Sequence, residues 1–151
     1  MKANHPVSLL VSGLALLAAL GAAPVFGAGE EVVVHKDPNC GCCGKWAEHM
    51  RANGFTVKEV ATAAMGAVKR DAGVPQALGS CHTARVGGYV VEGHVPAADV
   101  KRLLAEKPKV AGLAAPGMPM GSPGMEGAYP ADRYDVVAFD ADGKSRVFAS
   151  H

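Results

Sequence analysis

Val32-Val-Val-His-Lys-Asp-Pro-Asn-Cys40-Gly-Cys42-Cys43-Gly-Lys-Trp46 is the stretch that decides the fold. Three β-branched residues in a row read as a short buried strand, and Asp37-Pro-Asn39 breaks it just before the first cysteine. From Cys43 onward the apolar residues Cys43, Trp46, Ala47 and Met50 recur at the spacing of one helix face. Asn53-Gly54 supplies a helix stop. The cysteines therefore lie where a strand ends and a helix begins.

Working outward, Phe55–Val60 is expected to be a second strand, and strand, helix and strand in this compass favour a parallel pair with a right-handed crossover. A helix is expected over residues 63–72, ended by Gly73-Val-Pro75. Thr83–Val86 and Tyr89–Glu92 flank Gly87-Gly88, a two-residue hairpin signal, so this pair is antiparallel. Pro96 opens a helix in which Val100, Leu103 and Leu104 share a face, and Pro108 forbids its continuation. The order β-α-β-α-β-β-α predicts an α/β fold: a thioredoxin-like mixed sheet with helices on both faces. Residues 111–130 repeat Pro, Gly and Met without an apolar period and are expected to be one long loop. Tyr134–Phe139, a turn at Asp140-Ala-Asp-Gly143, and Lys144–Ala149 predict a closing β-hairpin.

The N-terminal segment has a different character. Lys2 leads into an apolar run from Val7 to Leu20 and then small residues, the layout of a secretory signal cleaved after Gly27 or Ala28. The run is shorter than the roughly 20 residues that span a bilayer, which argues against a membrane anchor. The expected organisation is a signal peptide, 1–28, and a single domain, 29–151, exported to the periplasm. Without Lys2 the acidic and basic residues are equal in number and interspersed, so no electrostatic footprint for nucleic acid exists. No later stretch is apolar enough to span a membrane.

Four cysteines fall in the expected domain, three inside Cys40-Gly-Cys42-Cys43 and the fourth at Cys81. Structural disulfides are one reading in an oxidising compartment, although three thiols within four residues cannot brace distant parts of a fold, and a Cys42–Cys43 bridge would be strained. A second reading is a Cys-x-x-Cys redox pair, Cys40 with Cys43, whose thiolates a helix N-terminus favours. Cys42 is then an awkward third thiol. Metal binding uses all four sulfurs: four thiolates leave a single zinc ion with net negative charge, whereas several Cu(I) ions neutralise them and prefer soft sulfur in low coordination. Zinc also lacks its usual second ligand pair, since Cys81-His82 is only an adjacent dipeptide.

Met118, Met120 and Met125 sit in the Pro/Gly loop where no packing pattern explains them. Thioethers are copper ligands, although adaptable surface filler explains them equally well. Met50 and Met65 lie on helical faces and are expected in the core. His82 and His94 can approach the cysteines if the hairpin forms, and His35 leads into their loop; each is also explained as an ordinary hydrogen-bonded imidazole. His49 and His151 are expected to be exposed, and Trp46 to be a core aromatic.

Asp37-Pro-Asn-Cys-Gly-Cys-Cys-Gly-Lys-Trp46, Ser80-Cys-His-Thr83, Gly88-Tyr-Val-Val-Glu-Gly-His-Val-Pro96 and Pro116-Gly-Met-Pro-Met-Gly-Ser-Pro-Gly-Met-Glu126 resemble the periplasmic CopG-type copper-resistance proteins, in the same order and over nearly the whole of the expected domain. The resemblance implies a thioredoxin-like fold and a Cys-x-Cys-Cys site holding Cu(I), as one ion or several, on Cys40, Cys42, Cys43 and Cys81. Met118, Met120 and His94 follow as weaker candidate ligands. It further implies a part in envelope copper handling that includes copper redox chemistry, with copper ions and other copper-handling proteins as partners; the strand-loop-helix placement of Cys40 and Cys43 carries the enzymatic alternative, a thiol-disulfide or copper oxidoreductase.

Overall fold

A computed structural model describes residues 29–151; the expected signal peptide, 1–28, lies outside the described residues. One seven-stranded sheet runs in the order β2-β1-β3-β4-β5-β6-β7. Its elements are β1 (Glu31–Lys36), α1 (Gly41–Ala52), β2 (Thr56–Ala61), α2 (Met65–Asp71), β3 (Thr83–Val86), β4 (Tyr89–Glu92), α3 (Ala97–Glu106), β5 (Gly112–Ala114), β6 (Asp135–Phe139) and β7 (Ser145–Ser150), with a 3-10 turn at Gln76–Leu78. The β1–β2 and β4–β5 pairs are parallel and the others antiparallel. This is the mixed α/β architecture that the element order implied, and it is consistent with a thioredoxin-like fold.

Alternation along the strands sends side chains to two faces. Val32, Val34, Ala84, Val91 and Leu113 join Trp46, Ala47 and Met50 of α1 and Val100 and Leu103 of α3 in the main core. On the opposite face Val90, Ala114 and Phe139 pack with Ala72, Val74 and Leu78, at and beyond the end of α2. Helical elements thus cover both faces. The buried residues of α1 are Cys43, Trp46, Ala47 and Met50, the stripe expected from their spacing. Trp46 is fully buried and its indole N–H donates to Val95 O at 2.9 Å, which spares the buried ring an unmet donor.

Three expectations need correction. The loop at 111–130 contains β5, whose Gly112-Leu-Ala114 is too short to carry a period and owes its extended form to pairing with β4 and β6. Met65 is half-buried rather than core, because α2 has no fully buried residue. His49 is not simply exposed: its Nε2 accepts the backbone N–H of Ala97, at the start of α3, at 3.1 Å. His151 is exposed as expected, yet its Nε2 lies 2.7 Å from Asp99 Oδ2. No helix among the described residues is long and apolar enough to cross a membrane.

The His49 contact makes stability depend on pH. An imidazole nitrogen that accepts a hydrogen bond must be unprotonated, and burial lowers the His49 pKa from its ordinary 6.5, partly opposed by the Glu126 carboxylate. The unfolded chain then binds the proton more readily than the folded one, so this contribution is full above about 6.5 and is lost as pH falls through the lowered value. Urea midpoints should fall on acidification below neutrality, and more gently in His49→Gln, whose amide oxygen accepts the same bond without titrating. An equally steep fall in His49→Gln would show that other groups carry the acid sensitivity.

Candidate metal centre

Three segments meet at the N-terminal end of α1. The first is the turn out of β1, where Asp37 Oδ1 accepts Asn39 N–H at 2.8 Å and Cys40 N–H reaches Asp37 O at 3.0 Å. Cys40 occupies the N-cap position with extended backbone and offers no capping oxygen. The first turn of α1 contains no acidic residue. Its free N–H groups and partial positive charge therefore act on the sulfurs of Cys40, Cys42 and Cys43. The second segment is Ser80-Cys-His82, just before β3, and the third is the Met-containing loop.

All four cysteine sulfurs lie within 4.8 Å of one another, and Cys81, His82 and His94 form an overlapping group within the same limit. Cys43 is buried, and Cys40, Cys42 and Cys81 are half-buried. Cys40 and Cys43 are joined by a disulfide with Cα atoms 5.4 Å apart, while Cys42 and Cys81 are free. Cys42 Sγ stands 3.5 Å from Cys40 Sγ. Full structural pairing, one of the readings open at the sequence level, does not occur.

Hydrogen bonding assigns the proton positions on His94. Its Nδ1 lies 2.8 Å from Pro123 O, which can only accept, so Nδ1 carries the hydrogen. The neutral ring then presents a bare Nε2 to Cys81 Sγ at 2.9 Å, and the thiol donates to it. Burial foremost, and then the neighbouring Cys42, pushes the Cys81 thiol up to about 12. Cys81 is thus held as a protonated thiol at neutral pH. Burial, reinforced by His94 and Lys69, also holds His82 well below the ordinary imidazole range. His82 is fully buried against Trp46, ring centroids 4.5 Å apart, with Nδ1 3.3 Å from Cys81 Sγ and no hydrogen-bond partner for Nε2 among the described residues. A neutral imidazole beside a crowd of thiols is a nitrogen donor for a soft or borderline metal. His35, by contrast, lines a separate cavity with Asp71 and Arg85.

The Met-containing loop is laid across the cysteine helix. Gly124 has φ +87°, and a Cβ there would stand 2.7 Å from Cys42 O and 2.8 Å from Trp46 N, so only glycine allows this approach. Ser122 and Pro123 are buried, Met125 N–H donates to Ser122 O at 2.8 Å, and Met120 N–H donates to Asp132 Oδ2 at 2.9 Å. Met118 is 53 % exposed, whereas Met120 and Met125 are half-buried. The seat at Gly124 had no sequence signal beyond a Pro-Gly pair in a loop full of them. His82 approaches Cys81 as the hairpin reading allows, although a Cys-His dipeptide alone does not say that both side chains turn to one site.

Two solved structures, named "Copper resistance protein copG- Form 1" and "Form 2", are each 48 % identical to this chain, with TM-scores of 0.77 and 0.78. Each alignment covers 82 % of this chain and 98 % of the other. The chain belongs to the CopG copper-resistance protein family. A family model described as "Protein of unknown function, DUF411" matches residues 78–125, the span that holds Cys81, His82, His94, Met118, Met120 and Met125. No curated protein matches. Kinship with CopG proteins and a four-sulfur cluster together point to copper binding.

Gly124→Ala tests the loop's seat. Relief of the overlap and of the positive φ should cost about 1–3 kcal/mol. The expected outcome is a lowered denaturation midpoint and faster proteolytic cleavage within residues 116–126 than in the unaltered protein. Unchanged cleavage and stability would mean that the loop does not depend on this contact.

Proposed function

We propose that the protein is a periplasmic copper-binding protein that captures Cu(I) on the thiolates of Cys40, Cys42, Cys43 and Cys81 and so contributes to copper resistance. The observation that carries this reading is the gathering of four sulfurs within 4.8 Å at a helix N-terminus. Copper here is cargo. Cu(I) takes soft ligands in low coordination, so thiolates that bridge several ions satisfy both the crowding and the charge. On this reading His94 adds a nitrogen ligand through the Nε2 that accepts from Cys81, and Met118 and Met120 serve as thioether donors that hand copper on or off. On this reading residues 1–28 are an export signal, 29–151 form the single working domain, and other envelope copper-handling proteins supply or remove the metal.

The disulfide between Cys40 and Cys43 favours a second reading, a copper or thiol-disulfide oxidoreductase. Two Cu(I) ions would each give one electron to the disulfide; the S–S bond breaks, Cys40 and Cys43 become thiolates, and two Cu(II) ions result. In the binding reading the same bond must be opened by an external dithiol, which is itself oxidised to a disulfide.

Anaerobically reduced protein should retain Cu(I) against a moderate chelator, and Cys42→Ser or Cys81→Ser should weaken retention more than about 100-fold, since losing only a supporting partner of a ligand typically costs about 10- to 100-fold. Unchanged binding in Cys42→Ser would sink the four-sulfur site. Apparent affinity should also rise with pH across neutrality, because copper displaces the Cys81 proton. For the second reading, anaerobic addition of Cu(I) to the oxidised protein should yield a Cu(II) paramagnetic signal and two new thiols. Silence in both measurements would remove it.

A further inference from the structure

Behind Cys81, on the other side of the sheet from α1, lies a buried ion pair that the copper reading does not use. Glu92 is fully buried. One of its oxygens accepts from Lys69 Nζ at 2.5 Å and from the Ser80 backbone N–H at 2.6 Å. The other accepts from Thr83 Oγ1 at 2.7 Å. Thr83 and Glu92 are directly opposed across the β3–β4 ladder, and strand alternation turns them away from the face that carries Ala84 and Val91. Glu92 therefore braces the cysteine-bearing turn from its reverse side.

A carboxylate withdrawn from water is costly unless fully bonded, and an apolar residue at this place in a sheet would cost less. What Glu92 supplies that an apolar residue would not is a hold on the backbone next to Cys81. Gly79–His82 lies outside every strand and helix, so its amides must find partners elsewhere. Ser80 N–H goes to Glu92, Gly117 N–H comes to Gly79 O at 3.1 Å, Gly93 N–H comes to His82 O at 3.0 Å, and Ser80 Oγ donates to Gly117 O. Among these partners Glu92 is the one charged side chain. Lys69 completes it from α2, a helix with no fully buried residue.

We propose that Glu92, neutralised by Lys69, is a positioning residue that sets where the Cys81 sulfur stands relative to Cys40, Cys42 and Cys43. The inference rests on the copper reading for its purpose, but its geometry is testable without copper. In reduced, metal-free protein, alkylation of Cys81 and Cys42 is followed by mass spectrometry, and their rate ratio reports local release of Cys81, since general loosening accelerates both. The ratio should rise severalfold in Glu92→Gln and Lys69→Met, and less in Thr83→Val, which removes the hydroxyl's bonds to Glu92 and to Lys69 Nζ but keeps the ion pair. Cu(I) affinity of the same folded variants should fall about 10- to 100-fold, the range for loss of a group that orients a ligand. A wild-type alkylation ratio in the folded variants overturns the proposal. If Glu92→Gln and Lys69→Met do not fold, a wild-type ratio in Thr83→Val overturns it alone. Failure of the unaltered protein to bind copper defeats the copper reading and leaves the alkylation result standing on its own.

Discussion

Close approach of three backbone segments at the N-terminal end of α1 is the constraint from which the rest of this structure follows. Four sulfurs share a small volume only if the chains that carry them come nearer than side chains ordinarily permit. Gly124 lies against Cys42 and Trp46 with no room for a Cβ, and Gly93, at φ +71°, would drive a Cβ into Ser80. These glycines are not turn formers placed for convenience; each removes the atom that would hold two segments apart. Trp46 supplies the floor, with its indole bonded to the chain leaving β4.

Electrostatics at this end of the molecule work in opposing directions. The helix terminus favours charge on the sulfurs of the Cys-x-Cys-Cys turn, whereas burial keeps Cys81 protonated and His82 and His94 neutral. Cys81, His82 and His94 are thus held uncharged beside the Cys40–Cys43 disulfide. Once the Cys40–Cys43 disulfide is reduced, all four sulfurs are already gathered. The network around Glu92 keeps its own charge paired on the reverse side, so it braces the turn without adding an unpaired carboxylate to the cluster.

The sequence carried some of this and hid the rest for physical reasons. The α1 stripe, the Gly87-Gly88 hairpin and the Pro-bounded α3 were legible because each rests on local period or local turn chemistry. β5 was not, because three residues hold no period and its conformation comes from its neighbours. Met65 misled because an apolar residue on a helical spacing says nothing about whether the helix is buried. In the site, the cysteines announced themselves by spacing, whereas the partnership of Cys81 with His94 depends on hairpin register and on the Pro123 carbonyl that orients the ring. The bonded pair, Cys40 with Cys43, is the one that the Cys-x-x-Cys spacing offers, because a bridge between adjacent Cys42 and Cys43 would be strained.

The loop seated by Gly124 bears on the order of assembly. Cys40, Cys42 and Cys43 emerge early in synthesis, whereas Cys81, His94 and the segment that closes over them come from progressively later parts of the chain. Contacts between such distant segments form only after their intervening loops are closed. The crowded thiols therefore exist for a time as an open, reactive triplet with neither lid nor fourth sulfur. The metal centre is a finishing product of folding, and the interval before its completion is when these cysteines are most exposed to wrong partners.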